Sequence, residues 1–458
     1  HQVKVTEIGK RFYQRRMDYF YFFIAKGIEL LRENGILSFI TTNYWVTASG
    51  GKKLLRPFLK KETNFSRYIN FGEYRIFDSA RGQHNCVFSL EKSSNNKDMN
   101  CLVTEVDDIN LAINHSIEQI LKIGSSLEGI NEFQSQPQKE LYDKKNNNIF
   151  FHSYKVHNLV QKIIKESKLI LDDICNITGG VSSSADKVTN GNIKYFSEDE
   201  IKKLDIELGN GIIVLNENEL QDIELSETEL QYIKPYFKSS DVKKYWTKTI
   251  NEKYLVYAHH KNADEIEKCP NLFKHLNRYK KILENRSQDI ELERAMSKGH
   301  WFVLTNGRPS INLEKEKIVC PYRAKENVFG YNKSSWYAGR DIYYMVDFQD
   351  QDIKYILGIL NSSLIKFWLK YKGKRKGDIF EIYPEPLRNI PLPKKDLQIH
   401  NEIIKRVDCI IAITSSDDYL QENDNELKVN SIQEQINQLV YELYNLSKEE
   451  IIQLEELI

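Results

Sequence analysis

Along residues 18–43 the apolar positions change period once. From Tyr19 to Glu33 they recur at three- and four-residue spacing, the pattern of an amphipathic helix. Gly35 breaks that pattern, and residues 36–40 then read as a buried strand that ends in the polar Thr41, Thr42 and Asn43. A helix feeding a strand through a glycine turn is the second half of a βαβ crossover. The first strand of that crossover is absent, so the chain is expected to start inside a doubly wound α/β domain. Such folds gather their ligands at the carboxyl ends of the strands. The spacing next predicts a helix over 51–61, a strand over 68–71, a loop opened by Phe77 and a strand over 85–91. Too few residues separate those two strands for a helical crossover, so they should pair antiparallel. The expected fold class is therefore α/β, a parallel sheet ending in an antiparallel edge pair.

The pattern then loosens. Residues 93–150 are a composition shift: a polar turn over 93–100, a helix over 111–123, and a polar stretch over 134–148 with Asn146, Asn147 and Asn148 in a row. A helix over 157–166 leads into a mixed α+β region. Its short strands fall at 211–215, 253–257, 317–321 and 342–346, and helical stretches at 265–284 and 352–371 interrupt them. From about residue 395 the chain turns helical, over 399–413 and 429–444. Ser447 and Glu450 form a capping box for one more helix.

Composition narrows the classes. Lys and Arg number 65 and so do Asp and Glu, which excludes a uniformly basic nucleic-acid binder but not a local basic cleft. The six cysteines are scattered without Cys-x-x-Cys spacing, so no zinc site is expected and reduced thiols of a cytosolic protein are the plain reading. No apolar run is long enough to cross a membrane, and the N-terminus lacks the apolar core of a signal peptide.

Three stretches carry candidate chemistry. Residues 366–376 hold six basic residues in eleven, interleaved with Phe367, Trp368 and Tyr371. A helix that buries the aromatics would release Lys372, Lys374, Arg375 and Lys376 as a flexible basic tip suited to phosphates; a solvated charged loop is the alternative. Gly179 and Gly180 lead into Ser182, Ser183 and Lys187, a hydroxyl-rich loop whose amides could approach a sugar-phosphate chain, or else a plain turn. Arg323, Lys325, Tyr331, Lys333 and Arg340 cluster between two predicted strands with Asn327. Arg and Lys suit guanine, Asn suits adenine, and a surface salt bridge is the ordinary role of any one of the charged ones. No metal-binding motif and no metal ligand set is identified. The pair His259-His260 fits a strand end better than a metal.

Residues 19–92 resemble the C-terminal half of the catalytic domain of amino-methylating DNA methyltransferases. The similarity is to N6-adenine enzymes of restriction-modification systems, of the type IIG or Eco57I-like group. It is carried by Tyr21-x-Phe-Ile-x-Lys-Gly-Ile-Glu-Leu-Leu and Gly35-Ile-Leu-Ser-Phe-Ile-Thr-x-Asn43-x-Trp45, then Lys53-x-Leu-Arg-x-Phe-Leu59, then Ile69-x-Phe-Gly72 and Ile76-Phe-Asp-x-Ala80. Gly179 to Lys187, Tyr232-Ile-Lys-Pro-Tyr236, Pro321-Tyr-Arg-Ala-Lys-Glu-Asn327 and Tyr355-Ile-Leu-Gly-Ile-Leu-Asn-Ser362 are similar to a TaqI-like target-recognition domain. The resemblance implies a methyltransferase half-domain over 1–110 in a class I, Rossmann-like sheet, a connecting segment over 111–150, a DNA target-recognition domain over 151–395 and a helical segment over 396–458. Function by resemblance is site-specific recognition of double-stranded DNA and adenine-N6 methylation from S-adenosyl-L-methionine, with the base flipped. The intact protein would be the enzyme, alone or fused to a restriction endonuclease, in a bacterial cytoplasm. The glycine-rich cofactor turn and the Asn-Pro-Pro-Tyr loop of the family are absent, and none of the ten prolines forms a Pro-Pro pair. They are expected upstream, in the missing N-terminal half of the catalytic domain, in the same or another chain. This chain alone is then expected to be inactive, with no catalytic residue of its own. Phe77 is implied as an aromatic platform for the target base, against an ordinary core Phe sealing the sheet edge. The reading from another class is a non-catalytic DNA-specificity or anti-restriction subunit.

Overall fold

The computed structural model describes residues 2–79, 82–93, 99–124, 126–287, 289–376, 378–415 and 423–458. It has two compact units. The first comprises His1–Lys165, Phe367–Phe380 and Ser447–Ile458, and the second Glu166–Lys366 and Glu381–Leu446. Ala80, the last residue of the Phe77 motif, lies outside the described residues.

The first unit is built on a five-stranded sheet. Helix α1 (Phe20–Leu30) buries Tyr21, Ile24, Ala25 and Ile28, and Gly27 lets it close on Leu37 of strand β1 (Ile36–Thr42). A Cβ on Gly27 would meet a Leu37 methyl at 2.9 Å. Helix α2 (Leu55–Glu62) leads directly into β2 (Thr63–Asn70), and β3 (Asn85–Lys92) follows the Phe77 loop. β3 is antiparallel to both β1 and β2 and lies between them, so β1 and β2 run parallel.

The expected antiparallel pair is present, but it is not the edge. The sheet continues through β4 (Asn100–Val106), parallel to β2, and β5 (Ile130–Pro137), antiparallel to β4. Much of β5 is polar, and for that reason its pattern does not announce a strand. Two of its polar residues, Ser135 and Gln136, are buried and serve as hydrogen-bonding groups. Gln138 just after it accepts from the Phe65 amide at 2.9 Å and donates to the Phe65 carbonyl at 2.6 Å. Gln136 bonds the backbone of Phe150 and His152, and Ser135 accepts from the Cys101 amide. The helix expected over 111–123 is two short turns, Ile109–Ala112 and Ile117–Leu121, the second begun by a Ser116–Gln119 capping box.

One buried cation braces the turn after β1. Arg56 has no exposed surface and donates to the carbonyls of Trp45 (2.9 Å) and Ala48 (2.7 Å) and to Asn148 Oδ1 (2.9 Å). Asn148 belongs to the asparagine run that reads as linker in the sequence.

The second unit carries two four-stranded sheets. In the first, strand order is Tyr337–Ala338, Ile233–Phe237, Lys253–Val256, Val214–Leu215. In the second it is Gly330–Asn332, Lys317–Pro321, Ile342–Val346, Asn176–Gly179. A single apolar core spans both, including Trp336 stacked on Phe237 at 4.8 Å. The predicted helix over 265–284 is broken into Ala263–Ile266, Pro270–Arg278 and Lys280–Glu284, the second starting at Pro270. That over 352–371 divides into Ile353–Leu360 and Ser363–Lys372. The break is held by Asn361, which exchanges two hydrogen bonds with the Phe329 backbone. Helices Leu397–Thr414 and Asn423–Leu443 match expectation, as does the Ser447 capping box of Lys448–Glu456 in the first unit.

Arg56→Met should destabilise the chain by about 3 kcal/mol or more, because three buried acceptors lose their donor together. Urea unfolding checks this. An unchanged midpoint would mean that the turn after β1 closes without the guanidinium.

Candidate functional site

The loops after β1 and β2 emerge side by side, since both strands run antiparallel to β3. Thr42 pairs with Asn85 and Asn70 with Cys86. The Asn43 amide donates to Asn70 Oδ1 at 2.9 Å, and that oxygen also accepts from the Gly72 backbone at 3.2 Å. Asn43 N–H bonds the His84 carbonyl at 2.8 Å, which ties the far end of the Phe77 loop to the same place. Tyr44, next in the chain, donates its hydroxyl to Asp18. Partial burial and that carboxylate raise the phenol pKa, so Tyr44 stays a neutral donor.

Phe77 is turned outward from this platform. Its neighbour Ile76 packs into a small core around Ile69, Phe71 and Ile120, while Phe77 is 45% exposed and joins no core. An exposure of 45% is more than a core Phe sealing the sheet edge would keep.

Glu105 stands beside this end of the sheet, paired in register with Asn70. Burial pushes its carboxyl up to about 7; Arg375 opposes this, Asp107 adds to it and Lys370 opposes it.

The basic stretch differs from expectation. Phe367 and Trp368 are buried, as the helix requires. Lys372 is not on a flexible tip: it forms an ion pair with Asp143 at 3.0 Å and sits over the Phe150 ring at 3.9 Å. Its partner is 229 positions away, so no local pattern reveals it. Burial lowers its ammonium pKa and Asp143 holds it up. Lys374 is half-buried, and only Arg375 and Lys376 are exposed. They lie on a short hairpin, Arg375 paired with Phe380 and Lys376 with Ile379. Lys372 is thus withdrawn as a phosphate contact.

In the second unit the hydroxyl-rich loop is a packed turn. Gly179 pairs with Tyr343 in the sheet, and a Cβ on Gly180 would lie 2.1 Å from the Gly339 carbonyl oxygen. The glycines answer to close packing inside the protein. Ser183 is buried, bonded to Asp186, and its carbonyl accepts from Arg286 at 2.7 Å and Thr305 at 3.2 Å. That removes Ser183 from the candidates for DNA contact. Ser182 is partly exposed and Lys187 fully so.

Among the predicted base readers, Asn327 is a correction. It has no exposed surface, and its amide donates to the carbonyls of Leu360 (2.7 Å) and Ser362 (2.9 Å). It caps a helix end and cannot reach a base from there. Arg323 is engaged with Glu381 at 3.0 Å and lies over the Tyr322 ring. Lys325, Lys333 and Arg340 are exposed and form no ion pair among the described residues. Arg308, on a loop that its sequence does not mark, brings its Nη2 to within 3.7 Å of where a Cβ on Gly179 would lie.

Among the described residues, Asp264, Glu267 and His300 form the one group with the side chains for a metal ion. His300 Nε2 is 2.9 Å from Asp264 and 4.0 Å from Glu267, an arrangement that a histidine–carboxylate pair explains. Among the described residues of the first unit the one Gly-Gly pair, Gly50-Gly51 after β1, packs against the Arg16 carbonyl, Tyr21 and Arg56, so it is not an open turn that would fit S-adenosylmethionine.

Residues 3–77 match the Eco57I restriction-modification methylase family, and residues 234–392 the TaqI-like C-terminal specificity domain. The type II methyltransferase M.HindII of Haemophilus influenzae is 26% identical over 88% of this chain and 72% of its own length. The type II restriction enzyme and methyltransferase RM.Eco57I of Escherichia coli is 24% identical over 82% of this chain and 36% of its own. The fold is similar to that of the type IIL restriction-modification enzyme MmeI, solved in complex with DNA, with a TM-score of 0.63 at 11% identity. That likeness covers 96% of this chain, which spans about half (51%) of the MmeI chain. The chain carries an Eco57I-like methylase segment followed by a TaqI-like specificity domain.

The raised carboxyl of Glu105 makes stability depend on pH. An acid whose folded pKa exceeds its unfolded value favours the fold below the unfolded pKa, and that contribution is lost as pH rises through the folded one. The window here is 4.5 to about 7. Glu105→Gln should match wild type at pH 4.5 and exceed it at pH 8 by roughly 1–3 kcal/mol. Urea midpoints at the two pH values test this; a variant less stable at pH 8 would show that the charged carboxylate is held by Arg375.

Proposed function

We propose that this chain supplies the target-base side and the DNA-recognition domain of a site-specific adenine-N6 DNA methyltransferase of a restriction-modification system. The observation that carries the reading is Phe77, exposed in the loop between β2 and β3 beside the core-packed Ile76. An exposed aromatic there can stack on a base removed from the duplex. Flipping costs a few kcal/mol of lost stacking, and an aromatic face returns about 1–3 kcal/mol of it. The methyl group would come from S-adenosylmethionine. Its glycine turn and the Asn-Pro-Pro-Tyr loop would belong to the remainder of the catalytic domain, in the same or another chain. The free edge of β1 supports such a partner. Among the described residues β1 pairs only with β3, and Ile36 (60%), Ile40 (43%) and Phe23 (66%) are exposed around it. An open apolar edge of this kind is ordinarily covered.

Double-stranded DNA would be gripped by the exposed cations. Arg375 and Lys376 on their hairpin are suited to phosphates, and Lys187 and Ser182 to the sugar-phosphate chain. Lys325 and Lys333 are the candidates for base edges, and Arg323 could join them only by leaving Glu381. All six cysteines are free thiols, which fits a bacterial cytoplasm.

The reading is tested with the reading frame that encodes this chain, expressed in its native context. Duplex DNA is incubated with S-adenosylmethionine, digested to nucleosides and analysed by mass spectrometry. N6-methyladenine in one sequence context is expected. A methylated cytosine would overturn the adenine assignment, and tight duplex binding with no transfer would favour the non-catalytic specificity subunit.

Phe77→Ala in the same protein should lower the flipped population without altering duplex affinity or thermal stability. The fluorescence of 2-aminopurine at the target position reports flipping. Normal flipping in the variant would take the aromatic platform away from Phe77.

A further inference from the structure

Three costs meet at one residue of the second unit. Arg308 has φ 54°, a left-handed backbone that a non-glycine residue adopts only under constraint. Its Nε is buried without a hydrogen-bond partner. The charge of Arg340 also works against its own, while Glu291 and Asp289 favour it without forming an ion pair with it among the described residues. Strain, an orphaned donor and like-charge proximity persist together where the surroundings impose them, and they concentrate at sites that bind something.

The surroundings do impose them. Ser182 and Asn306 exchange backbone hydrogen bonds at 2.9 and 3.0 Å, and Tyr257 donates to the Gly307 carbonyl at 2.8 Å. The loop that carries Arg308 is therefore fixed to the strand end at Gly179. Arg340 is fixed to the same end from the other side. It sits within the turn closed by the Ile342 amide on the Gly339 carbonyl, at 3.2 Å. That turn packs on Gly180, whose amide bonds the Ile342 carbonyl at 2.9 Å. Gly179 leaves the floor open: an added Cβ would come 3.7 Å from Arg308 Nη2 and 3.4 Å from the Tyr343 ring.

Two guanidinium groups on anchored turns, neither in an ion pair among the described residues, offer paired N–H donors to an anion. We propose that Arg308 and Arg340 together hold one phosphodiester of the double-stranded DNA backbone, over the floor that Gly179 leaves open. This subsite rests on the reading that the second unit binds duplex DNA, and it makes Arg340 a positioning contact.

Fluorescence anisotropy of the 458-residue chain with two 30-base-pair duplexes of unrelated sequence, at several NaCl concentrations, tests it. Arg340→Ala should reduce the slope of log affinity against log salt by about one, and Arg308→Ala with Arg340→Ala by about two, equally on both duplexes. Arg308→Lys keeps the charge and should retain most of the slope. Should Arg308→Ala melt early, Arg340→Ala and Arg340→Glu carry the test alone, since that side chain is exposed. Wild-type binding with unchanged slopes in the Arg340 variants would overturn the subsite while leaving the DNA reading intact. A loss confined to one duplex would make the pair base readers and overturn the phosphate assignment. A wild-type chain that binds neither duplex at low salt would bring down the DNA reading and the subsite with it.

Discussion

Strand β3 must satisfy backbone groups on both of its sides, and doing so with β1 and β2 decides where the first unit can act. Every buried amide and carbonyl of a central strand needs a partner. β3 meets that need by antiparallel ladders from Ile36–Glu91 to Thr42–Asn85 on one side and from Thr63–Lys92 to Asn70–Cys86 on the other. Its neighbours are thereby forced parallel, and their carboxyl ends fall at one place. The Asn43–Asn70 bond follows from that register. A one-residue slip of β2 would turn Asn70 to the other face and break its bond with Asn43.

The loops that the ladders bring together are fixed by side chains that reach backbone. Arg56 holds three acceptors in the turn after β1, and Arg286 holds the carbonyls of Ser183, Trp301 and Val303. Burial lowers the Arg286 guanidinium to about 10, which leaves it charged at neutral pH. Gln136 and Gln138 play the neutral version of the same part. Charged donors on carbonyls are stronger than neutral ones, and each brace also blocks the loop from paying twice, once in entropy and once in unsatisfied groups. A platform for a base or a phosphate gains from such rigidity, because less freedom remains to be lost on binding.

What the sequence displays is local. The period change at Gly35 marks helix Phe20–Leu30 and strand Ile36–Thr42, alternation and length mark Lys317–Pro321 and Ile342–Val346, and Ser447 with Glu450 marks the last helix. Hidden from it are features whose cause lies far along the chain. The polar β5 is a strand because it pairs with β4, some thirty positions earlier, and Gln138 just beyond it is tied to Phe65, 73 positions earlier. Lys372 looks like one more surface lysine until Asp143 is seen beside it, and Asn327 looks like a base reader until the helix end at Leu360 covers it. Gly180 resembles a ligand-loop glycine but serves the Gly339 carbonyl. Phe77 is legible in the sequence only as a choice between core and platform, and its exposure beside the packed Ile76 is a feature that no local pattern shows.

A formal net charge of zero conceals a division of labour among the cations. Arg56, Arg286, Lys317 and Lys372 are buried or nearly so and are spent on carbonyls, Asn332 and Asp143. Lys372 is in an ion pair; the other three are bonded to neutral carbonyl and amide oxygens and are out of reach of a surface ligand. Lys187, Lys325, Lys333, Arg340, Arg375 and Lys376 are exposed, and none of them forms an ion pair among the described residues. A polyanion responds to the second set, since it is the unneutralised charge at the surface that releases counterions on binding. The balance of acids and bases over the whole chain therefore carries no information on DNA binding; which cations remain unpaired does, and that is settled by the packing of each unit.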